Sequence, residues 1–371
     1  MDSVFPAPDA LSPAYRLALR GSLYGTALGD ALGYPAELLT VTGLYERYGV
    51  KDASELMAAL GQGPLQVSDD TQLTLATLDG LTEVLEWNNE GQAADELACI
   101  WLSYLRWYTG TGHPAPPTAP YSLPRPLNKV PVMQRFRGPG KATLAALATG
   151  EMQFISKNIN PQALGTGALM RSAPFGYLPV ADDATVVKLA THAAALTHGH
   201  PEAVISAAAY ALFIRYLLGV AGSNVKKPLS SAAQAVLTWL GTIECSKALP
   251  GNAALTIAAV TRAQELAATA TPHEAARLDF GELGLATDCL GYALYLALCV
   301  EDQSRSPEAL LHAVGLAIAV DGDSDSIGAL VGSLLGALWG EEALPQNLIA
   351  QVDARQAIEL AAAGWFTQLG L

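Results

Sequence analysis

The stretch Asp321-Gly322-Asp323-Ser324-Asp325-Ser326-Ile327-Gly328-Ala329-Leu330-Val331-Gly332-Ser333-Leu334-Leu335-Gly336-Ala337-Leu338-Trp339-Gly340 sets three aspartates directly ahead of an apolar segment. Gly328, Gly332, Gly336 and Gly340 recur at a spacing of four, which lines them along one face of an α-helix. Each helical glycine costs up to about 1 kcal/mol relative to alanine, so the pattern predicts a central helix pressed closely against its neighbours. The apolar part, residues 327–339, is shorter than the ~20 residues a bilayer span needs and is expected to be a buried core helix.

Around this segment the chain has the same character. Of its 371 residues 51% are hydrophobic, enough for a sizeable core, and Ala and Leu dominate while β-branched runs are few. Apolar periodicity between Gly/Pro turns predicts an all-α fold. Helices are expected over residues 14–28, ending at Gly29-Asp30, then 71–87, 91–108, 142–147, from 167 onward, 184–196, 201–218, 230–240, 254–267, 287–300 and 307–320. Between Tyr108 and Met133 lie seven prolines, which exclude helix and mark residues 109–133 as a rim or lid. No repeat or linker divides the chain, so the expectation is an arm over residues 1–13 and one compact orthogonal helical bundle over 14–371.

The net charge of −14, with no stripe of Lys/Arg and aromatics, argues against nucleic acid as a partner. Cys99, Cys245, Cys289 and Cys299 lack metal-type spacing and read as buried thiols of a reducing cytoplasm. Residues 1–13 carry acids and prolines where a signal peptide needs a basic patch and an apolar run. A cytoplasmic protein without a membrane partner is expected.

A second acidic knot, Ser68-Asp69-Asp70-Thr71, precedes Gln72-Leu73. By itself it reads as a helix N-cap with acids in the first turn, where they complement the helix dipole. The knot at 321–326 has acids spaced like a calcium loop, but Ser326 and Gly332 stand where such a loop needs Gly and a bidentate Glu. Burying one ionised carboxylate costs several kcal/mol, and four or five converging would repel one another unless cations lay between them. Oxygen donors of this kind suit Mg²⁺, Mn²⁺ or Ca²⁺.

Three further stretches accompany the knots: residues 21–37, GSLYGTALGDALGYPAE; residues 165–174, GTGALMRSAP; and residues 197–203, THGHPEA. In this order, over about residues 21–340, the five motifs resemble the ADP-ribosylglycohydrolase family, which includes the dinitrogenase reductase activating glycohydrolases. The resemblance implies an all-α fold around a dinuclear Mg²⁺ or Mn²⁺ site. By motif position it implies that Ser68, Asp69 and Asp70 hold the ions from one side and Asp323, Asp325 and Ser326 from the other. Serine stands at 68 and 326 where the family usually has threonine, which keeps the hydroxyl. Asp321 is extra to the pattern. Glu37 is placed at the border of the active site, so that Glu37, Asp69, Asp70 and Asp323 form the implied catalytic set, and Asp30 is read as a helix-terminus or turn residue that orders it.

Glycines in the loop 162–167 would let backbone N–H groups approach a phosphate at a helix N-terminus. The resemblance implies that Gln162, Gly165, Thr166 and Gly167 cradle the diphosphate and distal ribose, with Thr166 where asparagine is common. Arg171 reads either as a diphosphate contact or as one half of a structural ion pair. His198 is similar to a family histidine beside the nucleotide, and residues 284–288, ending in Asp288, resemble the family segment that ends near the substrate ribose. No Ser-His-Asp or Cys-His order points to covalent catalysis.

The function so implied is metal-dependent hydrolysis of the N-glycosidic bond between ADP-ribose and a protein side chain, with arginine as the preferred acceptor. The partner is then an ADP-ribosylated protein, and the base is Asp69, Glu37 or a water of lowered pKa. A rival is an immunity or regulatory protein of the same fold that blocks an ADP-ribosyltransferase toxin, reaching it with the arm and the proline-rich segment. A structural relative with a dead site would show eroded ligands, whereas all six positions here keep an oxygen donor.

Overall fold

In the computed structural model residues 4–179, 181–245, 253–303 and 305–371 are described. Among them lie seventeen α-helices joined by short 3-10 turns, and the β pairings are isolated bridges only, so the fold is all-α. The first part of the chain holds α1 (Pro13–Gly33), α2 (Val41–Tyr48), α3 (Ala53–Leu60), α4 (Asp69–Asn89), α5 (Glu96–Gly110) and α6 (Lys141–Ala148). The middle holds α7 (Ala173–Gly176), α8 (Asp183–Ala195), α9 (Pro201–Gly219), α10 (Pro228–Cys245) and α11 (Ala254–Ala268). Then come α12 (His273–Leu278), α13 (Ala286–Val300), α14 (Pro307–Ile318), α15 (Ser324–Trp339), α16 (Gln346–Ile349) and α17 (Arg355–Gln368).

Helices α1 and α15 run against each other backbone to backbone. A Cβ on Gly25 would lie 2.0 Å from the Gly332 carbonyl oxygen, and one on Gly29 would lie 1.9 Å from that of Gly328. Contact this close explains why α1 continues through Gly29 and Asp30, where the sequence predicted its end: the helix loses nothing to glycine that the neighbouring helix does not return in packing. Ser22 and Ser333 complete the seam with a 2.7 Å hydroxyl pair, and the Tyr177 hydroxyl donates to Ser22 at 2.9 Å. Gly340 departs from the expected glycine face, since at φ +83° it ends α15.

Other boundaries differ for local reasons. From residue 167 the sequence predicts a helix, but the chain makes a 3-10 turn (Thr166–Ala168) and only the single turn α7, whose Gly176 abuts the Ala211 carbonyl of α9. Short helices α2, α3, α12 and α16, and the C-terminal α17, add to those read from periodicity. Helix α9 is long and apolar enough to cross a membrane, yet it is enclosed by the rest of the protein. Cys99 and Cys289 are buried free thiols, Cys299 is half-buried and free, and the side chain of Cys245 lies outside the described residues.

The proline-rich segment is anchored on α4 and α5. Arg125 grips Glu86 at 2.7 Å and Asp79 at 3.0 Å, both on α4. Gln72 donates to the carbonyls of Val132 and Arg135 at 2.7 and 2.9 Å while receiving the Trp107 indole N–H at 2.8 Å. The arm is committed too, since Phe5 is buried edge-on to Tyr216 and Pro6 fills the space over Gly219.

Candidate active site

Ser68 takes an extended conformation as the N-cap of α4, and its Oγ accepts the Asp70 N–H at 3.1 Å. Asp69 donates its own N–H to the Arg137 carbonyl at 3.0 Å. What fixes this turn is Asp30, wholly buried within α1. Its carboxylate accepts the Ser68 N–H at 2.9 Å, the Thr71 N–H at 3.1 Å and the Thr71 hydroxyl. Asp30 orders the site, as expected, but from inside a helix and not from its end.

The second knot is held as firmly. Asp323 is the N-cap of α15, its N–H donating to the Leu283 carbonyl at 2.6 Å. Asp325 Oδ1 accepts the Ser326 N–H at 3.0 Å, and the Ser324 hydroxyl donates to the Gly33 carbonyl at 3.0 Å. Asp321 is exposed and caps α2 instead, accepting the Val41 N–H at 2.6 Å. Since α15 is seated on α1, and α1 carries Asp30, the two knots come together. A Cβ on Gly138, at φ +67°, would stand 3.6 Å from both Asp69 Oδ1 and Glu37 Oε2, so these two carboxylates flank one point.

Electrostatics report the convergence. Burial, and then Asp30, Asp69 and Asp323, raise Asp70 well above the usual carboxylate range. Burial does the same to Asp325, seconded by Asp70 and Asp323, and to Asp69, seconded by Asp30 and Asp323. Glu37, half-buried, is pushed up to about 7 by burial and by Asp323 and Asp30. Asp30 reaches about 6 because burial outweighs its hydrogen bonds. Carboxyls raised in this way bind more protons folded than unfolded, so the cation-free protein loses stability as pH rises above their unfolded range near 4. Buried His198, lowered to about 3, opposes this below its unfolded value, as do His192 and His273, which burial also lowers, three groups against five. Thermal midpoints measured in chelator should therefore be lower at about pH 7.5 than at about pH 6, a window in which the raised carboxyls dominate. A midpoint that climbs across it would contradict the arrangement.

Among the described residues no three His, Cys, Asp or Glu side chains close tightly enough to cage an ion on their own. The donor set nonetheless fits a divalent cation. Asp70 Oδ2 is buried with no hydrogen-bond partner, Ser326 stands near enough to favour the ionised form of Asp70, and the charges that act on it most, Asp30, Asp69 and Asp323, are negative. An orphaned carboxylate oxygen in such surroundings calls for a cation. Ser68, Asp69, Asp70, Asp323, Asp325 and Ser326 are the residues that would supply the oxygens.

The loop 162–167 docks on the second knot. Leu164 accepts the Ala286 N–H at 2.8 Å, Gly165 bridges to Leu285, and the Thr166 hydroxyl donates to Asp323 Oδ2. Gln162 is exposed. Gly167 faces His198 and Thr143, with His198 Nε2 3.3 Å from the place its Cβ would occupy. Arg171 is buried, its guanidinium 4.5 Å over the Tyr104 ring and Nη2 donating to Thr197 Oγ1 at 2.6 Å; its described contacts include no ion pair. Asp288 is half-buried in the first turn of α13, 3.0 Å from the Cβ position of Gly281, and burial raises it. Sequence reasoning passed over Asn160, whose side chain donates to the carbonyls of Ala142 and Thr197 at 2.9 and 3.0 Å and so ties the loop to the histidine turn.

Comparison with known proteins agrees with this architecture. The ADP-ribosylglycohydrolase family model matches residues 11–370. The chain is 27% identical over 343 residues to the uncharacterized protein YegU of Escherichia coli (strain K12), covering 90% of this chain and 91% of that protein. It is 25% identical over 349 residues to the ADP-ribosylhydrolase ARH3 of Danio rerio, covering 91% and 87%. A solved chain of an ADP-ribosylglycohydrolase-related protein complex superposes with a TM-score of 0.58 at 22% identity, over 96% of this chain and 99% of that one, and shares the fold. With a family match running almost from end to end, and the helix pair and acidic knots in place, the chain belongs to the ADP-ribosylglycohydrolase family and is a glycohydrolase.

Proposed function

We propose that the protein hydrolyses the N-glycosidic bond joining ADP-ribose to a protein side chain, with arginine as the acceptor and two divalent cations, Mg²⁺ or Mn²⁺, between the knots. The observation that carries this is the buried Asp70 carboxylate with its unpartnered Oδ2, set among Asp69, Asp323 and Asp325. Bound cations would offset these charges, orient ribose hydroxyls and reverse the local field for an anionic ligand.

The remaining work falls to side chains. Cleavage at the anomeric carbon passes through an oxocarbenium-like state, which needs a positioned water and negative charge nearby. Glu37, half-buried and beside Asp69 at the edge of the acidic cluster, is the carboxylate suited to take a proton from that water. Asp69, beside it across Gly138, holds charge toward the developing cation. The glycine-rich loop offers main-chain N–H groups to the diphosphate, and Thr166 fixes that loop to Asp323. A guanidinium leaving group suits the acidic surroundings of Glu37 and Asp69.

The rival reading, a toxin-blocking binding protein, needed the arm and the proline-rich segment to reach a partner. Each is anchored at a residue, Phe5 by Tyr216 and Arg125 by Glu86 and Asp79, while Leu11, Tyr121 and Leu123 stay exposed, and no observation favours this reading over hydrolysis. The deciding experiment presents arginine-, serine- and nucleic-acid-linked ADP-ribose to the pure protein. Arginine-linked ADP-ribose should be released, EDTA should stop the release and Mg²⁺ or Mn²⁺ should restore it. Turnover that persists in EDTA, or release only from another linkage, would overturn the proposal in its metal or its acceptor respectively.

A further inference from the structure

Behind the glycine-rich loop lies a buried chain of hydrogen bonds that ends on His198. It starts at Arg171, which is 1% exposed and stacked on Tyr104. A guanidinium can only donate, so Thr197 Oγ1, 2.6 Å from Arg171 Nη2, accepts. The other partner of that oxygen is His198 Nδ1, at 2.8 Å. Thr197 is fully buried, and a hydroxyl proton turned away from Nδ1 would have no acceptor, a loss that buried polar groups avoid. The proton therefore lies on the Thr197–His198 line, and Nδ1 accepts. A neutral imidazole that accepts at Nδ1 carries its hydrogen on Nε2.

The Nε2 edge faces the loop. A Cβ on Gly167 would meet His198 Cε1 at 3.0 Å, Thr143 Oγ1 at 3.2 Å and His198 Nε2 at 3.3 Å. Thr143 Oγ1 is itself buried and without a partner, as is Arg171 Nη1. Asn160 holds the main chain of this turn through the Thr197 carbonyl at 3.0 Å. The charged group shown acting on the imidazole is Arg171, which together with burial keeps the ring neutral.

We propose that Arg171 and Thr197 are positioning residues that lock His198 as an Nε2–H donor beside Gly167, where it is offered to a phosphate oxygen of a nucleoside-diphosphate ligand. The ligand in this statement rests on the function proposed above, whereas the tautomer stands on the hydrogen-bond geometry. Arg171 thereby acts on the loop through Thr197 and the ring, without touching the ligand.

The test is a long-range ¹H–¹⁵N spectrum of the full-length protein at neutral pH, with the His198 signal identified by its loss in His198→Gln. Wild type should show a protonated Nε2 and a bare Nδ1. Thr197→Val, which keeps the shape and removes the hydroxyl, should lose that pattern, and Thr197→Ser should keep it. Calorimetric affinity for ADP-ribose should fall roughly three- to tenfold in Thr197→Val, the worth of one neutral hydrogen bond, and recover in Thr197→Ser. A wild-type ring protonated at Nδ1, or an unchanged tautomer in Thr197→Val, would overturn the lock. Should Thr197→Val fail to fold, the wild-type spectrum decides alone. Equal ADP-ribose affinity in wild type and Thr197→Val overturns the donor role. If ADP-ribose does not bind wild type while the tautomer is as assigned, the proposed function falls and the lock stands.

Discussion

Asp70→Asn should abolish release of ADP-ribose, by about three orders of magnitude, while the cation-free protein melts no lower than wild type. The side chain keeps its shape and hydrogen bonds, so the fold is spared, but a charge is removed from a buried place where Asp69, Asp30 and Asp323 already crowd it. Loss of a charge-stabilising group from a water-excluded site is felt on this scale of rate. Relief of buried like-charge repulsion should raise the midpoint in chelator. The same substitution at Asp325 should behave alike, because Asp70 is the charge that most raises it. Turnover in saturating Mg²⁺ and melting in EDTA are the two measurements. Activity within fivefold of wild type, or a much lower midpoint, would remove Asp70 from the role given to it.

Gly332→Val should leave no cooperatively folded protein. A Cβ at this position would lie 2.0 Å from the Gly25 carbonyl oxygen and 2.7 Å from its carbon. Both are main chain of a buried helix, so no rotamer change relieves the clash. Overpacking that side chains can absorb costs about 1–3 kcal/mol; here the seam itself must part, against a total stability on the order of 5–15 kcal/mol. Gly241→Ala on α10 is the contrast: nothing lies within 4 Å of its Cβ position, the site is exposed, and up to about 1 kcal/mol of stabilisation is expected. Circular dichroism and the sharpness of thermal unfolding distinguish the two. A soluble Gly332→Val protein with a wild-type melt would refute the seam.

The all-α class, the principal helices and the close-packed glycine helix were legible because each rests on a period that needs no tertiary information. The acidic knots were legible as cap-like runs, and their meeting only through the family resemblance, since nothing in residues 68–71 or 321–326 by itself states that α1 lies under both. Asp30 shows the limit. Next to Gly29 it reads as a helix end, and only the backbone contact with Gly328 makes a helix there favourable. The anchoring of the proline-rich segment was hidden for a similar reason: Arg125, Asp79 and Glu86 are ordinary surface residue types until the fold places them within 3.0 Å. Arg171 was open between two roles because its partners, Tyr104 and Thr197, come from other helices and turns.

The glycine seam also acts as a gauge. Ser68 hangs from Asp30 on one helix, Asp325 rides on Gly33 of that same helix, and no flexible side chain intervenes in the spacing between the helices themselves. The frame on which the acids stand is thus set largely in main chain, and the parts left to adjust are the short side chains of the acids and of Asp30. If the acids hold cations as proposed, glycines that never touch the ions would still set where half of their ligands stand.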